Sequence, residues 1–174
     1  MKKWLIPVII IVVLGFVIYN MTVGFNNNAV EMREDAKTAW SNVESSYQRR
    51  NDLIGNLVKT VQGAADFERT TLTEVIEARA KATSVNIDAN NLTPEAISNF
   101  QQAQSGLSGA LSRLLVTVER YPDLKANQNF LNLQSQLEGT ENRINVARDR
   151  YNAQVGEYEK YTNKFPNSIF AGWF

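Results

Sequence analysis

The sequence predicts an all-α protein in which an N-terminal transmembrane helix continues into an antiparallel bundle of about four long helices. An uncharged apolar run begins near the N-terminus, and long apolar stripes with helical spacing follow it. Four prolines and nine glycines in 174 residues are few for an all-β chain with many turns. The length favours one domain, so we assign residues 1–25 to the membrane anchor and residues 26–174 to the bundle.

The composition excludes several functional classes. The chain has neither cysteine nor histidine, which excludes disulfides, catalytic thiols, zinc enzymes and Ser-His-Asp hydrolases. Lysine plus arginine and aspartate plus glutamate both number 18, so no cationic surplus attracts nucleic acid. We therefore expect a non-enzymatic protein with no cofactor, no metal and no nucleic-acid partner.

The predicted anchor is the uncharged stretch Trp4–Phe25, which is long enough to cross the hydrocarbon core of a bilayer. Trp4 and Tyr19 lie where aromatic anchors are expected at the two interfaces, and Lys2 and Lys3 directly precede the apolar run. A cleaved signal peptide would share the lysines and the apolar run, but a small-x-small cleavage site is missing. A buried core helix is disfavoured because the run is apolar on every side.

The orientation of the anchor rests on the positive-inside rule. Lys2 and Lys3 abut the run on one side, whereas Arg33 and Lys37 are the nearest cations on the other. The counts are equal, so only proximity favours a cytoplasmic N-terminus with the helical domain outside the membrane.

The first bundle helix is predicted from Ala29 to about Gly63. Its buried stripe has heptad-type spacing and consists of Ala36, Trp40, Val43, Tyr47, Ile54, Leu57 and Val61, with Arg50 completing the series. Gly63-Ala64-Ala65-Asp66 indicates a stop followed by an N-cap. A second helix then carries Phe67, Leu72, Val75, Ile76 and Ala82, and a polar loop covers residues 84–91.

The third helix is predicted to begin at Thr93-Pro94-Glu95, where threonine caps and proline occupies the first turn. Its stripe consists of Ile97, Phe100, Gln104, Leu107, Leu111, Leu114 and Val118. Tyr121-Pro122-Asp123 breaks the helix. A fourth helix is predicted from about Lys125 to Asn163, with Phe165-Pro166 ending it.

Polar residues interrupt the apolar stripes at Arg50, Glu141 and Arg148. If the first and fourth bundle helices pair antiparallel about midpoints near residues 46 and 144, positions whose numbers sum to about 190 face each other. Arg50 is then opposite Glu141. We hypothesise that the two side chains form an ion pair inside the bundle and define its register. A catalytic carboxylate is the alternative, but no second acid, base or metal set accompanies it. The segment Gly106-Leu107-Ser108-Gly109 is interpreted as a small-residue packing site.

Several long motifs resemble the signature of the LemA family. They include Ala39-Trp40-Ser41, the sequence RRNDLIGNLV at residues 49–58, ERYPDLKAN at 119–127 and TENRI at 140–144. Gly55 stands where proline is common in the family. The matching positions include Arg50 and Glu141.

The resemblance implies a bacterial-type membrane protein with an N-terminal anchor, an antiparallel helical bundle and no established enzymatic activity. It also implies that some members are linked to membrane organisation and that the genes of members often lie beside those of membrane metalloproteases. We therefore predict a single-pass protein of the bacterial inner membrane that contacts lipids and acts as a self-assembling scaffold, forming a homo-oligomer. The alternative is an adaptor or regulator of a membrane-protein partner such as a protease. A lipid or small-ligand carrier would need an interior cavity.

Overall fold

The computed structural model of the chain describes residues 4–64, 67–85, 87 and 92–172. Within these residues the structure is helical and contains no strand, which confirms the all-α prediction. Six helices are described: α1 (Leu5–Gln62), α2 (Arg69–Ser84), α3 (Pro94–Val118), α4 (Pro122–Lys125), α5 (Gln128–Asn163) and α6 (Asn167–Ala171).

The first helix is longer than the bundle helix predicted to begin at Ala29, because α1 runs without interruption from the apolar segment into the bundle. Polar side chains within the apolar part return their hydrogen bonds to the same helix. The Asn20 amide donates to the Phe16 carbonyl at 2.8 Å, and the Thr22 hydroxyl donates to the Ile18 carbonyl at 2.9 Å. These bonds satisfy the polar groups locally, so they do not break the helix.

The second helix begins after Phe67, which the sequence prediction had placed inside it. Phe67 is buried in the preceding connection, with its ring centroid 4.8 Å from that of Tyr121. The predicted N-cap at Asp66 lies outside the described residues. At the start of α3 the Thr93 hydroxyl accepts a hydrogen bond from the Ala96 amide at 3.2 Å, which confirms the predicted cap.

The predicted fourth helix is α5, which begins three residues after the approximate start predicted at Lys125, and the short helix α4 precedes it. Asn127 accounts for the separation of the two helices, because its side-chain oxygen accepts hydrogen bonds from the amides of Asn129 and Phe130 at 2.9 and 3.3 Å. An asparagine that binds the amides two and three residues ahead caps a helix start. The long helix therefore begins at Gln128.

The chain divides into two compact units. One contains the chain up to Ala39 and from Arg150 onward, and the other is Trp40–Asp149. In the second unit, α2 and α3 pack closely together. Its core consists of fully or nearly fully buried side chains from α1, α2, α3 and α5, among them Ile54, Leu57, Val61, Val75, Leu107, Leu114, Val118, Phe130 and Leu137.

The first unit contains a small aromatic cluster. The rings of Phe25 and Tyr161 stack with centroids 5.6 Å apart, and Phe170 of α6 lies 6.0 Å from Phe25. The Asn28 amide donates to the Tyr161 hydroxyl at 3.3 Å. These contacts join α1, α5 and α6 within this unit.

Candidate functional site

Arg50 lies at a buried position of α1 in the second unit. Because position 50 belongs to the same stripe as Tyr47 and Ile54, its side chain enters the interior of the bundle, and the residue as a whole is only 3% exposed. The guanidinium carbon lies 4.8 Å from the centroid of the Tyr47 ring, which is within cation–π distance. Burial of a guanidinium is costly, so its hydrogen-bond partners decide whether the position is stable.

Residues of α3 supply most of the partners of Arg50. Nη2 donates to both the side-chain oxygen and the backbone carbonyl of Gln104, the latter at 3.4 Å. Nη1 donates to the Ser108 hydroxyl at 3.2 Å. Gln104 is itself buried, and its amide nitrogen donates to the Ala82 carbonyl at 3.4 Å. Among the described residues, Nε of Arg50 has no hydrogen-bond partner.

The structure brings Arg50 and Glu141 together, as Nη1 lies 3.2 Å from Oε2 of the carboxylate. It differs from the hypothesis in the burial of the acid, because the Glu141 side chain is 51% exposed whereas that of Arg50 is 4% exposed. The long arginine side chain reaches outward to a carboxylate that keeps contact with solvent. In the interior of the bundle the guanidinium is therefore bound by neutral groups of Gln104 and Ser108. The ion pair with Glu141 lies at the boundary between the interior and the solvent.

Tyr47 is the aromatic member of this cluster. Its ring meets that of Phe100 edge-on, with centroids 4.9 Å apart. Burial raises the pKa of the Tyr47 hydroxyl above its usual value, while the positive charges of Arg148 and Arg50 oppose the rise. Arg148, the third polar interruption predicted from the sequence, thus lies near the Tyr47 hydroxyl on the exposed side of α5.

A half-open cavity of about 220 Å³ lies beside Arg50 in the same unit. Its walls are apolar, and its polar groups include two acidic side chains; it is lined by Arg50, Ile54, Ser108, Leu111, Ser112, Leu115, Gln134, Leu137, Glu138 and Glu141. Pockets for drug-sized ligands occupy about 300–1,000 Å³, whereas a cavity of about 150 Å³ holds benzene. This cavity fits a group the size of one side chain, with an apolar body and a polar or cationic end.

The predicted anchor residues lie on the apolar part of α1. This helix is long and apolar enough to cross a membrane, and its most apolar window is not buried in the structure. Trp4 and Tyr19 are 59% and 66% exposed, respectively. Lys2 and Lys3 lie outside the described residues. The anchoring roles of all four residues stay predictions.

Sequence reasoning did not assign Gln104 and Ser108 to the Arg50 site. Gln104 did carry a signal, because it is a polar residue on the predicted apolar stripe of α3. Ser108 was assigned to a small-residue packing segment. Within the part of the chain that the structure describes, no group of three His, Cys, Asp or Glu side chains is placed to hold a metal ion.

Comparison with known proteins gives related sequences. The magnetosome protein MamQ of Magnetospirillum gryphiswaldense is 29% identical over 174 residues, covering 88% of this chain and 63% of the relative. The magnetosome protein MamQ 2 of Paramagnetospirillum magneticum is 27% identical over 166 residues, covering 83% of this chain and 60% of the relative. The chain thus spans about three fifths of the length of these relatives.

Protein LemA of Metamycoplasma hominis is 24% identical over 172 residues, covering 99% of this chain and 71% of the relative. These relatives, together with the apolar N-terminal helix, fit a membrane-associated protein. The family model of LemA matches residues 39–174, which include α2 to α6 and the bundle part of α1. The chain therefore belongs to the LemA family.

Proposed function

We propose that the chain is a non-catalytic, single-pass scaffold of the bacterial inner membrane that assembles with copies of itself or organises the membrane around it. One observation carries the proposal: α1 is a single helix whose N-terminal part exposes an apolar surface and whose C-terminal part supplies a buried stripe of the bundle. Because the helix is continuous, anchoring its apolar part also anchors the part that enters the bundle.

Self-assembly is expected to use exposed side faces of the bundle, because exposed apolar groups favour association. Val116 on α3 is 72% exposed and is the most exposed large apolar side chain in the second unit. Association of several copies would also bury apolar surface that stays exposed in one copy. Because only the folded chain would associate, association would raise the free energy of unfolding.

Mass measurement by light scattering of the full chain, extracted in mild detergent and corrected for bound detergent, tests this scaffold. We expect a discrete mass of many protomers. Val116→Asp should reduce that mass if the α3 face forms the contact, whereas Ser105→Asp, which places the same charge at an exposed polar position of α3, should not. A monomer or dimer for the unmodified chain would rule out self-assembly as the main role.

The proposed orientation has a cytoplasmic N-terminus and the helical domain outside the membrane, and it rests on Lys2 and Lys3. The sequence has no cysteine, so a Ser105→Cys variant provides a single thiol at an exposed position of α3 outside the proposed contact. We expect a membrane-impermeant maleimide to label this variant in intact spheroplasts. Labelling only after lysis would place the bundle in the cytoplasm and contradict the orientation.

The cavity beside Arg50 favours a second candidate, an adaptor that binds a membrane partner such as a protease. Its apolar walls and the carboxylates of Glu138 and Glu141 fit a side chain with an apolar stem and a cationic end. Such an adaptor would stay a monomer or dimer when extracted alone and gain mass with a co-expressed partner. Leu115→Trp, which fills the cavity, should then abolish the complex, whereas the neighbouring exposed substitution Val116→Trp should preserve it.

A further inference from the structure

The turn that contains α6 packs against α1 at Phe25, where the predicted anchor stretch ends. Phe170 of α6 is 7% exposed and packs on Phe25, with ring centroids 6.0 Å apart. Tyr161 near the end of α5 stacks on the same ring at 5.6 Å and with an interplanar angle of 6°. Phe25 is the last residue of the predicted anchor stretch that begins at Trp4, and three asparagines follow it. The contacts lie within one compact unit, so the position of Phe25 defines that of the turn.

If α1 crosses the membrane as proposed, the stretch Trp4–Phe25 is long enough for Phe25 to lie in the interfacial region, on the solvent side of Tyr19. A helix rises about 1.5 Å per residue, so Trp4 and Phe25 are separated by roughly 32 Å along the axis, close to the hydrocarbon thickness of about 30 Å. Three consecutive asparagines, residues 26–28, follow Phe25, and Asn28 binds the Tyr161 hydroxyl at 3.3 Å. Polar and aromatic groups at this depth are typical of the headgroup region.

The turn carries two apolar side chains that are at least half exposed. Phe165 is 76% exposed and Ile169 is 50% exposed, whereas Phe170 of the same turn is buried against α1. Lys164 begins the turn and is exposed, Lys160 is exposed one helical turn before it, and the described residues 164–171 include no acidic side chain. Cations beside exposed apolar groups are suited to an anionic lipid surface.

We propose that the turn formed by Lys164–Ala171 lies in the headgroup region of the membrane that α1 crosses, with Phe165 and Ile169 facing acyl chains and the two lysines facing anionic headgroups. The turn thereby provides a second membrane contact beside the anchor and holds the C-terminal end of α5 at the surface. This inference rests on the proposed transmembrane role of α1. Its occupant is the lipid surface, because the patch is continuous with the membrane-crossing stretch through Phe25.

Site-directed spin labelling of the full chain in phosphatidylcholine–phosphatidylglycerol vesicles tests the proposal. Single cysteines are introduced as Val12→Cys in the apolar stretch, Ile169→Cys in the turn and Ser105→Cys at the exposed control position of α3, in a sequence that has no cysteine. The accessibility of each label to oxygen, which concentrates in lipid, is compared with its accessibility to a water-soluble nickel chelate.

We expect the label at position 12 to be far more accessible to oxygen and the label at position 105 to be more accessible to the chelate. The oxygen-to-chelate ratio at position 169 should exceed that at position 105 several-fold. Adding Phe165→Asn to the Ile169→Cys variant should lower that ratio, and omitting phosphatidylglycerol should lower it as well.

Two results would overturn the proposal while leaving the anchor intact. One is a chelate-favoured label at position 169 together with a lipid-exposed label at position 12. The other is a label at position 169 that is shielded from both reagents, because a second copy or a partner protein then covers the turn. A chelate-favoured label at position 12 would overturn the anchor and the lipid contact together.

Discussion

Replacing the buried Gln104 by leucine should destabilise the bundle more than removing the negative charge of Glu141. Gln104 accepts two hydrogen bonds from the Arg50 guanidinium, one through its side chain and one through its carbonyl. Leucine removes the side-chain acceptor, and the cation then stays in the interior with one donor hydrogen bond fewer. The same change leaves the Ala82 carbonyl without its bond to the Gln104 amide.

The expected magnitudes follow from burial. Leaving a buried donor unsatisfied costs about 1–3 kcal/mol, and more when the group is charged, so we expect Gln104→Leu to cost about 2–3 kcal/mol. At about 2–4 °C per kcal/mol for a domain of this size, the melting temperature falls by roughly 4–12 °C. Glu141→Gln keeps an acceptor at a side chain that is 51% exposed, so we expect a loss below about 1 kcal/mol.

The assay is thermal and urea unfolding of the full chain in mild detergent, followed by far-ultraviolet circular dichroism. Gln101→Leu serves as the matched control, because it makes the same chemical change at an exposed position of α3 and should leave the unfolding midpoint nearly unchanged. If Glu141→Gln lowered stability as much as Gln104→Leu, the carboxylate would be the main partner of the cation. That result would refute the conclusion that neutral groups hold Arg50.

Three further predictions concern the same unit. A Cβ at Gly55 would lie 3.0–3.2 Å from the Arg79 guanidinium. Gly55→Ala should therefore raise the urea midpoint more in an Arg79→Ala background than in the unmodified chain, and equal gains in the two backgrounds would contradict this contact. Burial raises the pKa of the Tyr47 hydroxyl in the folded state. The stability that the protonated hydroxyl contributes is therefore present below pH 10 and lost as pH rises through the folded-state pKa. Tyr47→Phe should flatten this part of the measured stability–pH curve, and an unchanged slope would contradict the assignment. Leu107→Ala should lower the free energy of unfolding by about 2–5 kcal/mol, because Leu107 is fully buried. Val116→Ala at an exposed position should lower it by less than about 0.5 kcal/mol. Similar losses for the two variants would contradict the described core.

The two functional candidates use different surfaces of the bundle. A scaffold requires exposed faces that bind other copies of the chain, whereas an adaptor uses the cavity beside Arg50. Since Val116 and Leu115 are adjacent on α3 but differ in exposure, substitutions at these positions separate the two roles without changing the helix that carries them.

The Arg50 site illustrates how far sequence reasoning extends. The heptad spacing of α1 places position 50 on the buried face, and the antiparallel register brings Glu141 to it. Gln104 and Ser108 are more than 50 positions away in sequence, and nothing local specifies which turn of α3 packs on which turn of α1. That alignment depends on the interlocking of side chains from several helices.

The sequence by itself determined the helical class, the apolar N-terminal segment and the faces of the long helices that are buried, because hydrophobic periodicity and caps such as Thr93 act within a few residues. Only the tertiary structure decided that neutral groups of α3 supply most of the partners of Arg50, that Glu141 stays half exposed and that Phe170 packs on Phe25. These features depend on distances between segments far apart in the chain. Such distances follow from the packing of whole helices, for which a single sequence contains no local signal.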